Sequence, residues 1–187
     1  MKVLLLGDRR STADDILVAK GVQDMLEVAG HQVEVVIPSC DELEPCTGCF
    51  GCWLRTPGQC VITKDDANGI ASKLINSDAV VLVSEIVFGG FSADIKAFLD
   101  RNVQNILPIF EIYKGEMHHP GRYERFPTWI AVGYGDVSDE EKQTFCLLAD
   151  RNALNIRPSG HLAVTVKDSA GLASEAERVL GALEVTQ

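Results

Sequence analysis

The chain has 187 residues, enough for one ordinary domain with a real core, and its 46% apolar and 24% charged content is that of a globular α/β protein, not a disordered or fibrous one. A formal net charge of −10 argues against a nucleic-acid binder, because phosphate contacts need clustered Lys and Arg. MKVLLLGDRR returns to charge too soon for a secretory segment, and no apolar run approaches the roughly 18 residues of a membrane span. The expectation is a cytoplasmic protein with no membrane partner and with its thiols reduced.

Short apolar runs alternate with helical patterns along the chain. VLLLG (Val3 to Gly7) reads as the first strand, and Ser11 opens an S-x-x-D box before a helix that runs to about Ala29 and stops at Gly30. VEVVI (Val33 to Ile37) and AVVLVS (Ala79 to Ser84) are the next strands. Ile95, Phe98 and Leu99 then form an i, i+3, i+4 stripe after Ser92. WIAVG (Trp129 to Gly133) precedes a capping box at Ser138 and Glu141. LAVTV (Leu162 to Val166) precedes a stripe of Leu172, Ala176, Val179, Leu180 and Leu183. The runs are rich in Val, Ile and Leu with little alternation, as in strands buried on both faces of a parallel sheet. Five strands and five helices predict a flavodoxin-like three-layer α/β/α sandwich, with a five-stranded parallel sheet in the order 2-1-3-4-5. Residues 1–187 read as a single domain with two long loops, a cysteine loop at about 40–63 and an insertion at about 105–126.

In such a sheet, ligands sit beyond the carboxyl ends of the strands. Strand 1 ends in GDRRSTADD, where Ser11 and Thr12 offer hydroxyls at a helix start and Arg9 and Arg10 offer charge, a setting that favours a phosphate. The same residues also read as an N-cap with solvated arginines. After strand 3, Gly89 and Gly90 in SEIVFGGFSADIKAFLDR let backbone approach a flat ligand that Phe88 and Phe91 would flank. The alternative is a turn with two core aromatics. A third loop, GYGDVSD (Gly133 to Asp139), reaches the same edge.

Four of the six cysteines lie in PCTGCFGCWLRTPGQC, as C-x2-C-x2-C-x7-C. Cys46, Cys49 and Cys52 carry the spacing with which ferredoxin loops wrap a cubane, Cys60 would fold back as fourth ligand, and Gly48 and Gly51 would let the chain bend around it. A [4Fe–4S] cluster, metal-free thiols, zinc and a disulfide stay open as readings. Cys40 lies outside the pattern, and Cys146, inside a helical stripe, reads as packed. In KGEMHHPGRYERFP, His118 and His119 are the candidate catalytic residues, meeting a nicotinamide or giving a proton to a quinone-like acceptor. An exposed loop or subunit contact is the rival reading there.

SEIVFGGFSADIKAFLDR resembles the S-P-I-Y-x-G-x-x-S-x-x-L-K-x-F-I-D-R signature of the flavodoxin-like NADPH-dependent FMN reductase family, and the cysteine segment resembles that of its iron–sulfur flavoprotein branch. The GEMHH stretch is similar to one in the same family. The resemblance implies FMN with its phosphate at Arg10, Ser11 and Thr12. Its ring would lie against Ile86, Val87, Phe88, Gly89, Gly90 and Phe91 on one loop and Gly133, Tyr134 and Gly135 on another. It also implies a [4Fe–4S] cluster on Cys46, Cys49, Cys52 and Cys60. NAD(P)H would be the electron donor, the partners a small-molecule acceptor or a ferredoxin-like protein, and the assembly a homodimer or homotetramer. Three residues depart from the pattern. Glu85 and Val87 replace Pro and Tyr, and Asp8 stands where a small Ser is usual, an acid that must turn away from any phosphate.

The function expected is an FMN-dependent oxidoreductase. A non-enzymatic flavodoxin-type electron carrier and a thiol or zinc regulatory module are the rivals, separated from it by NAD(P)H turnover and by flavin uptake.

Overall fold

The computed structural model describes residues 1–9 and 13–184, with the side chains of 13–16 excepted. Arg10, Ser11 and Thr12, three of the residues expected to hold a phosphate, lie outside the described residues. Among the described residues seven strands form in chain order: β1 (Lys2–Gly7), β2 (Gln32–Val36), β3 (Ala79–Glu85), β4 (Glu111–Tyr113), β5 (Glu116–His118), β6 (Thr128–Tyr134) and β7 (His161–Val166). Five of them make one parallel sheet in the order β2-β1-β3-β6-β7, the expected 2-1-3-4-5 once the small β4–β5 pair is set apart.

Register follows from the pleat. Leu5 lies beside Val35 and Val81, and Val81 beside Ile130. Alternate residues therefore feed two cores. Leu4, Leu6, Val80, Leu82 and Ala131 face one side, and Val3, Leu5, Val81, Val83 and Ile130 the other. Both faces are covered, so β1, β3 and β6 carry continuous apolar runs, whereas the outer strands β2 and β7 are only partly buried.

The helices are α1 (Ala13–Val28), α2 (Gly51–Leu54), α3 (Ala67–Ile75), α4 (Ala93–Arg101), α5 (Asp139–Ile156) and α6 (Leu172–Glu184). Residues of α3, α4 and α5 belong to the first core, and those of α1 and α6 to the second. The start and stop signals act as their chemistry dictates. Ser92 Oγ accepts from the Ile95 amide at the head of α4, and Ser138 and Glu141 form the reciprocal capping box of α5. Gly30, at φ +85°, ends α1. The insertion expected as a loop is in part a β4–β5 hairpin turning at Lys114 and Gly115, both with positive φ.

Among the described residues, no helix is long and apolar enough to cross a membrane.

Candidate functional site

The carboxyl edge of the sheet is organised by two acids. Asp8, which follows β1, is only 8% exposed. Its Oδ1 accepts from the Tyr134 hydroxyl and its Oδ2 from the Glu85 amide, both at 2.6 Å. Burial pushes the Asp8 carboxyl up from its ordinary value, and the donors from Tyr134 and Glu85 only partly counter it. The acid that stands in place of a family serine is thus turned into the end of the sheet, spanning β1, β3 and β6.

Asp94, in the first turn of α4, accepts from the Arg9 amide (3.1 Å) and the Cys40 amide (2.8 Å). Burial works against its ionisation, but those two amides, with the Cys40 thiol and the Arg9 charge, hold its carboxyl below the ordinary range. The loops after β1 and β2 are thereby stapled to one helix start. The Arg9 guanidinium turns to Asp41 (3.0 Å) and Glu42 (3.2 Å), so the charge expected to help a phosphate is already paired.

The loop after β3 is a tight turn. Val87 and Gly90 exchange backbone hydrogen bonds of 3.0 and 2.8 Å, and the two residues between them, Phe88 and Gly89, take φ of 50° and 75°. Phe88, at the tip, is 92% exposed in a left-handed conformation that glycine favours. Phe91 is 7% exposed and meets Phe145 edge-on at 4.9 Å. The two aromatics expected to flank a ring are therefore divided, and Phe91 is a core residue because the helix that follows carries it inward. Ile86 is buried too, its amide bonded to the Tyr134 carbonyl at 2.9 Å. Gly133 and Tyr134 lie within β6 and are buried on opposite faces of the sheet. A Cβ on Gly133 would come within 2.7 Å of Phe145, which makes that glycine a packing requirement. Gly135, at φ 138°, is the first residue of this loop beyond the strand.

The second group of candidate residues gathers at the far end of α4. Cys46, Cys49, Cys52 and Cys60 line one cavity of about 300 Å³, with Arg101 and Val103 in its wall. The four clustered cysteines and Cys146 are free thiols. Gly48 and Phe50, with φ of 64° and 55°, bend the chain around the cavity, and Gly51 is required because a Cβ there would lie 2.6 Å from Val61. Cys60 is fixed through its backbone. Its amide donates to Asn68 Oδ1 (2.8 Å) and Gln104 Oε1 (2.7 Å), and its carbonyl accepts from Asn68 (3.0 Å). The Gly51 amide and Thr47 lower the exposed Cys49 thiol, while burial and then the charge of Cys60 raise that of Cys52. Cys40 is set apart, its amide bonded to Asp94, and Cys146 is half-buried with its thiol pushed up by burial.

Two features bear on what this cavity suits. Among the described residues, no group of three or more His, Cys, Asp or Glu converges closely enough to hold a single metal ion, whereas tetrahedral zinc needs sulfurs ~2.3 Å from one point. In addition, Arg101 Nε and Gln104 Nε2 are buried donors without an acceptor, on residues adjoining Cys60. Such donors suit anionic sulfur, and hydrogen bonds to sulfur tune an iron–sulfur centre. Four thiols around one space, with buried donors beside them, are a donor set of the kind an iron–sulfur cluster uses.

The two histidines part company. His118 is buried, with Nδ1 bonded to Asn155 Oδ1 and Nε2 to Glu116 Oε2, both at 3.0 Å. With both ring nitrogens engaged it clasps the hairpin to α5. His119 Nδ1 bonds the Ile109 carbonyl at 2.9 Å, and its ring lies 4.5 Å from Phe110 and 5.1 Å from Trp53. It belongs beside the cysteine loop. α4 spans nine residues, about 13 Å, from the carboxyl edge to the thiol cavity, so the candidate residues form two separate sites.

Asp94, Arg101 and Gln104 are site-forming residues that spacing alone did not single out. An acid two residues after the N-cap Ser92 was the available signal for Asp94.

The sequence model of the NADPH-dependent FMN reductase family matches residues 1–114. An iron–sulfur flavoprotein of Methanocaldococcus jannaschii is 32% identical over 103 residues, 54% of this chain and 52% of that protein. One of Methanosarcina thermophila is 35% identical over 81 residues, 42% of this chain and 41% of that protein. The chain spans about half the length, or less, of these curated relatives. Among solved structures, an NAD(P)H:quinone oxidoreductase from Methanothermobacter marburgensis superposes with a TM-score of 0.67 at 12% identity, covering 100% of this chain and 94% of that one. An azoreductase from Bacillus anthracis does so at 0.65 and 12%, covering 100% and 96%. The structural likeness shows the fold, and the match over β1 to β4, which takes in the loops after β1 and β3 and all four clustered cysteines, shows the lineage: the chain belongs to the NADPH-dependent FMN reductase family.

Proposed function

We propose that the chain is an FMN-dependent oxidoreductase that takes electrons from a reduced nicotinamide nucleotide and delivers them to a quinone-class or ferredoxin-like acceptor, with a [4Fe–4S] cluster in the cysteine loop. The observation that carries the reading is that Cys46, Cys49, Cys52 and Cys60 line one cavity within a chain of an FMN reductase family.

Bound FMN would supply the conversion between two-electron and one-electron transfer, which no side chain here offers. The protein's own contribution is positional. Arg10, Ser11 and Thr12 would take the phosphate, using the free amides and dipole of the α1 start. Asp8, bonded inward to Tyr134 and Glu85, keeps its charge off that phosphate. Phe88, exposed at the tip of the β3 loop, would cover a flat ring. Strain held at an exposed aromatic is the kind of outlier that marks a ligand contact. At the other site, Asn68 and Gln104 hold the Cys60 backbone so that its sulfur stays on the cavity.

The test is anaerobic purification followed by a visible spectrum, quantification of flavin, iron and sulfide, and NAD(P)H oxidation with a quinone. The expected result is bound flavin, with iron and sulfide in the proportion of a [4Fe–4S] cluster, and iron lost selectively in Cys60→Ala. Colourless protein that takes up no FMN on reconstitution would overturn the flavin reading. Yellow protein whose iron is unaffected by Cys60→Ala would overturn the cluster.

A further inference from the structure

Trp129 is the second residue of β6, and its side chain is 3% exposed, yet its indole Nε1–H has no acceptor. Buried donors are rarely left in that condition, and an orphan asks for an unseen partner. The indole lines a cavity of about 280 Å³ between the last turns of α4 and α5. Leu74, Leu99, Phe126 and Ile156 supply its apolar wall, and the side chains of Asn152 and Asn155 add uncharged polarity. Asp100 is the one charged residue in the lining, and its carboxylate is bonded to Lys96 at 2.5 Å. The cavity therefore offers no unpaired charge to an ion. It offers a largely apolar space with the buried, unpartnered Trp129 Nε1–H at its wall.

We propose that this cavity binds a neutral single-ring aromatic carbonyl compound, the ring among Leu74, Leu99, Phe126 and Ile156 and the carbonyl oxygen accepting the hydrogen bond from Trp129 Nε1. A dry cavity of ~150 Å³ is enough to take up benzene, so the larger volume here has room for one substituent. The site is distinct from the flavin edge. Five residues of β6, roughly 16 Å at 3.3 Å per residue, separate Trp129 from Tyr134. It adjoins the thiol cavity instead, sharing Asp100 and Val103 with it. An occupant would sit next to the cysteine loop.

The experiment follows the two indole N–H resonances of ¹⁵N-labelled protein, with Trp53→Phe assigning them, during titration with benzamide. The Trp129 indole signal should move downfield and saturate, while that of Trp53, whose N–H is already bonded to the Val103 carbonyl at 2.9 Å, stays in place. Trp129→Phe should weaken benzamide about three- to tenfold, the value of one neutral hydrogen bond, and leave ethylbenzene, which has no acceptor, unaffected. Asn152→Trp, which fills the cavity from its half-buried rim, should abolish both and keeps the test open if Trp129→Phe does not fold. A Trp129 resonance that never moves, or that shows only a long-lived water contact, overturns the proposal. So does an equal loss for the two ligands in Trp129→Phe.

Discussion

The Tyr134 hydroxyl donates a 2.6 Å hydrogen bond to Asp8 Oδ1, tying the end of β6 to the end of β1 across β3. The bond is made to a carboxylate whose burial raises its pKa above the ordinary 3.8. Between the unfolded value and that raised value the folded chain binds more protons than the unfolded one. Asp8 therefore costs stability as pH rises through that window, and the penalty persists at neutral pH. Asp8→Asn can keep both contacts, accepting from Glu85 and donating to Tyr134. It should be more stable than the parent at pH 7, with the advantage shrinking towards pH 4. Because the carboxylate is turned into the end of the sheet, away from the proposed phosphate position, FMN affinity should stay nearly unchanged. Chemical denaturation across pH and flavin titration check both, and an unchanged stability gap across pH would refute the protonation argument.

Asp94 carries the opposite sign. Its folded pKa lies below 3.8, so its contribution is present above that value and is lost as pH falls through the depressed one. Asn in its place accepts well at one oxygen only, so either the Arg9 or the Cys40 amide loses its partner. Asp94→Asn should cost about 1–3 kcal/mol by urea denaturation with an unchanged slope. Because the Asp94 charge helps raise Asp8, the double variant with Asp8→Asn should be non-additive.

The parts of the fold legible from the sequence were those in which local chemistry and burial agree. Strands β1, β3 and β6 are buried on both faces, which leaves continuous Val and Leu runs, and Ser92, Ser138 and Gly30 mark helix ends by functions that their own atoms perform. The β4 and β5 strands are three residues each and mostly exposed, so no periodicity could announce them. The cysteine spacing showed that four thiols could share a centre. What it could not show were the supports, Asn68, Gln104 and Arg101, which reach Cys60 or its loop from 8 to 57 residues away in sequence and by contacts that have no local signature. Phe88 and Phe91 look alike in the chain. A positive φ at the tip and a helix start five residues later send one outward and the other into the core.

Phe88 offers a way to separate strain from binding. Its left-handed backbone costs about 1–2 kcal/mol, and a ring that is 92% exposed gains little from burial. Phe88→Gly relieves the strain and gives back part of it in unfolded-state entropy, so stability should hold or rise by at most about 1 kcal/mol. FMN affinity should fall about three- to tenfold, the worth of one aromatic face. Thermal unfolding of the flavin-free protein and fluorescence titration of FMN read the two effects independently. Unchanged affinity would remove Phe88 from the site.

Arg101 and Asp65 form an ion pair with side chains 1% and 2% exposed and bonds of 2.7 and 3.1 Å. Burial opposes the Asp65 charge, yet the guanidinium and the amides of Glu44 and Ala67 hold its carboxyl below the ordinary range. Removing the cation alone strands a buried anion, so Arg101→Met should lose about 3–5 kcal/mol, a fall in melting temperature of roughly 10 °C for a chain of this size. Removing both charges in Arg101→Met with Asp65→Leu should recover part of that loss and no more. The guanidinium also donates to the Glu44 carbonyl (2.5 Å) and the Ile62 carbonyl (3.3 Å), on either side of the cysteine loop, and those acceptors stay unpaired in the double variant. The loop should consequently be looser, with Cys60 alkylated by iodoacetamide faster than in the parent even where the melting temperature has partly returned. Full recovery of stability with parental Cys60 reactivity would mean that the arginine does no more than neutralise Asp65.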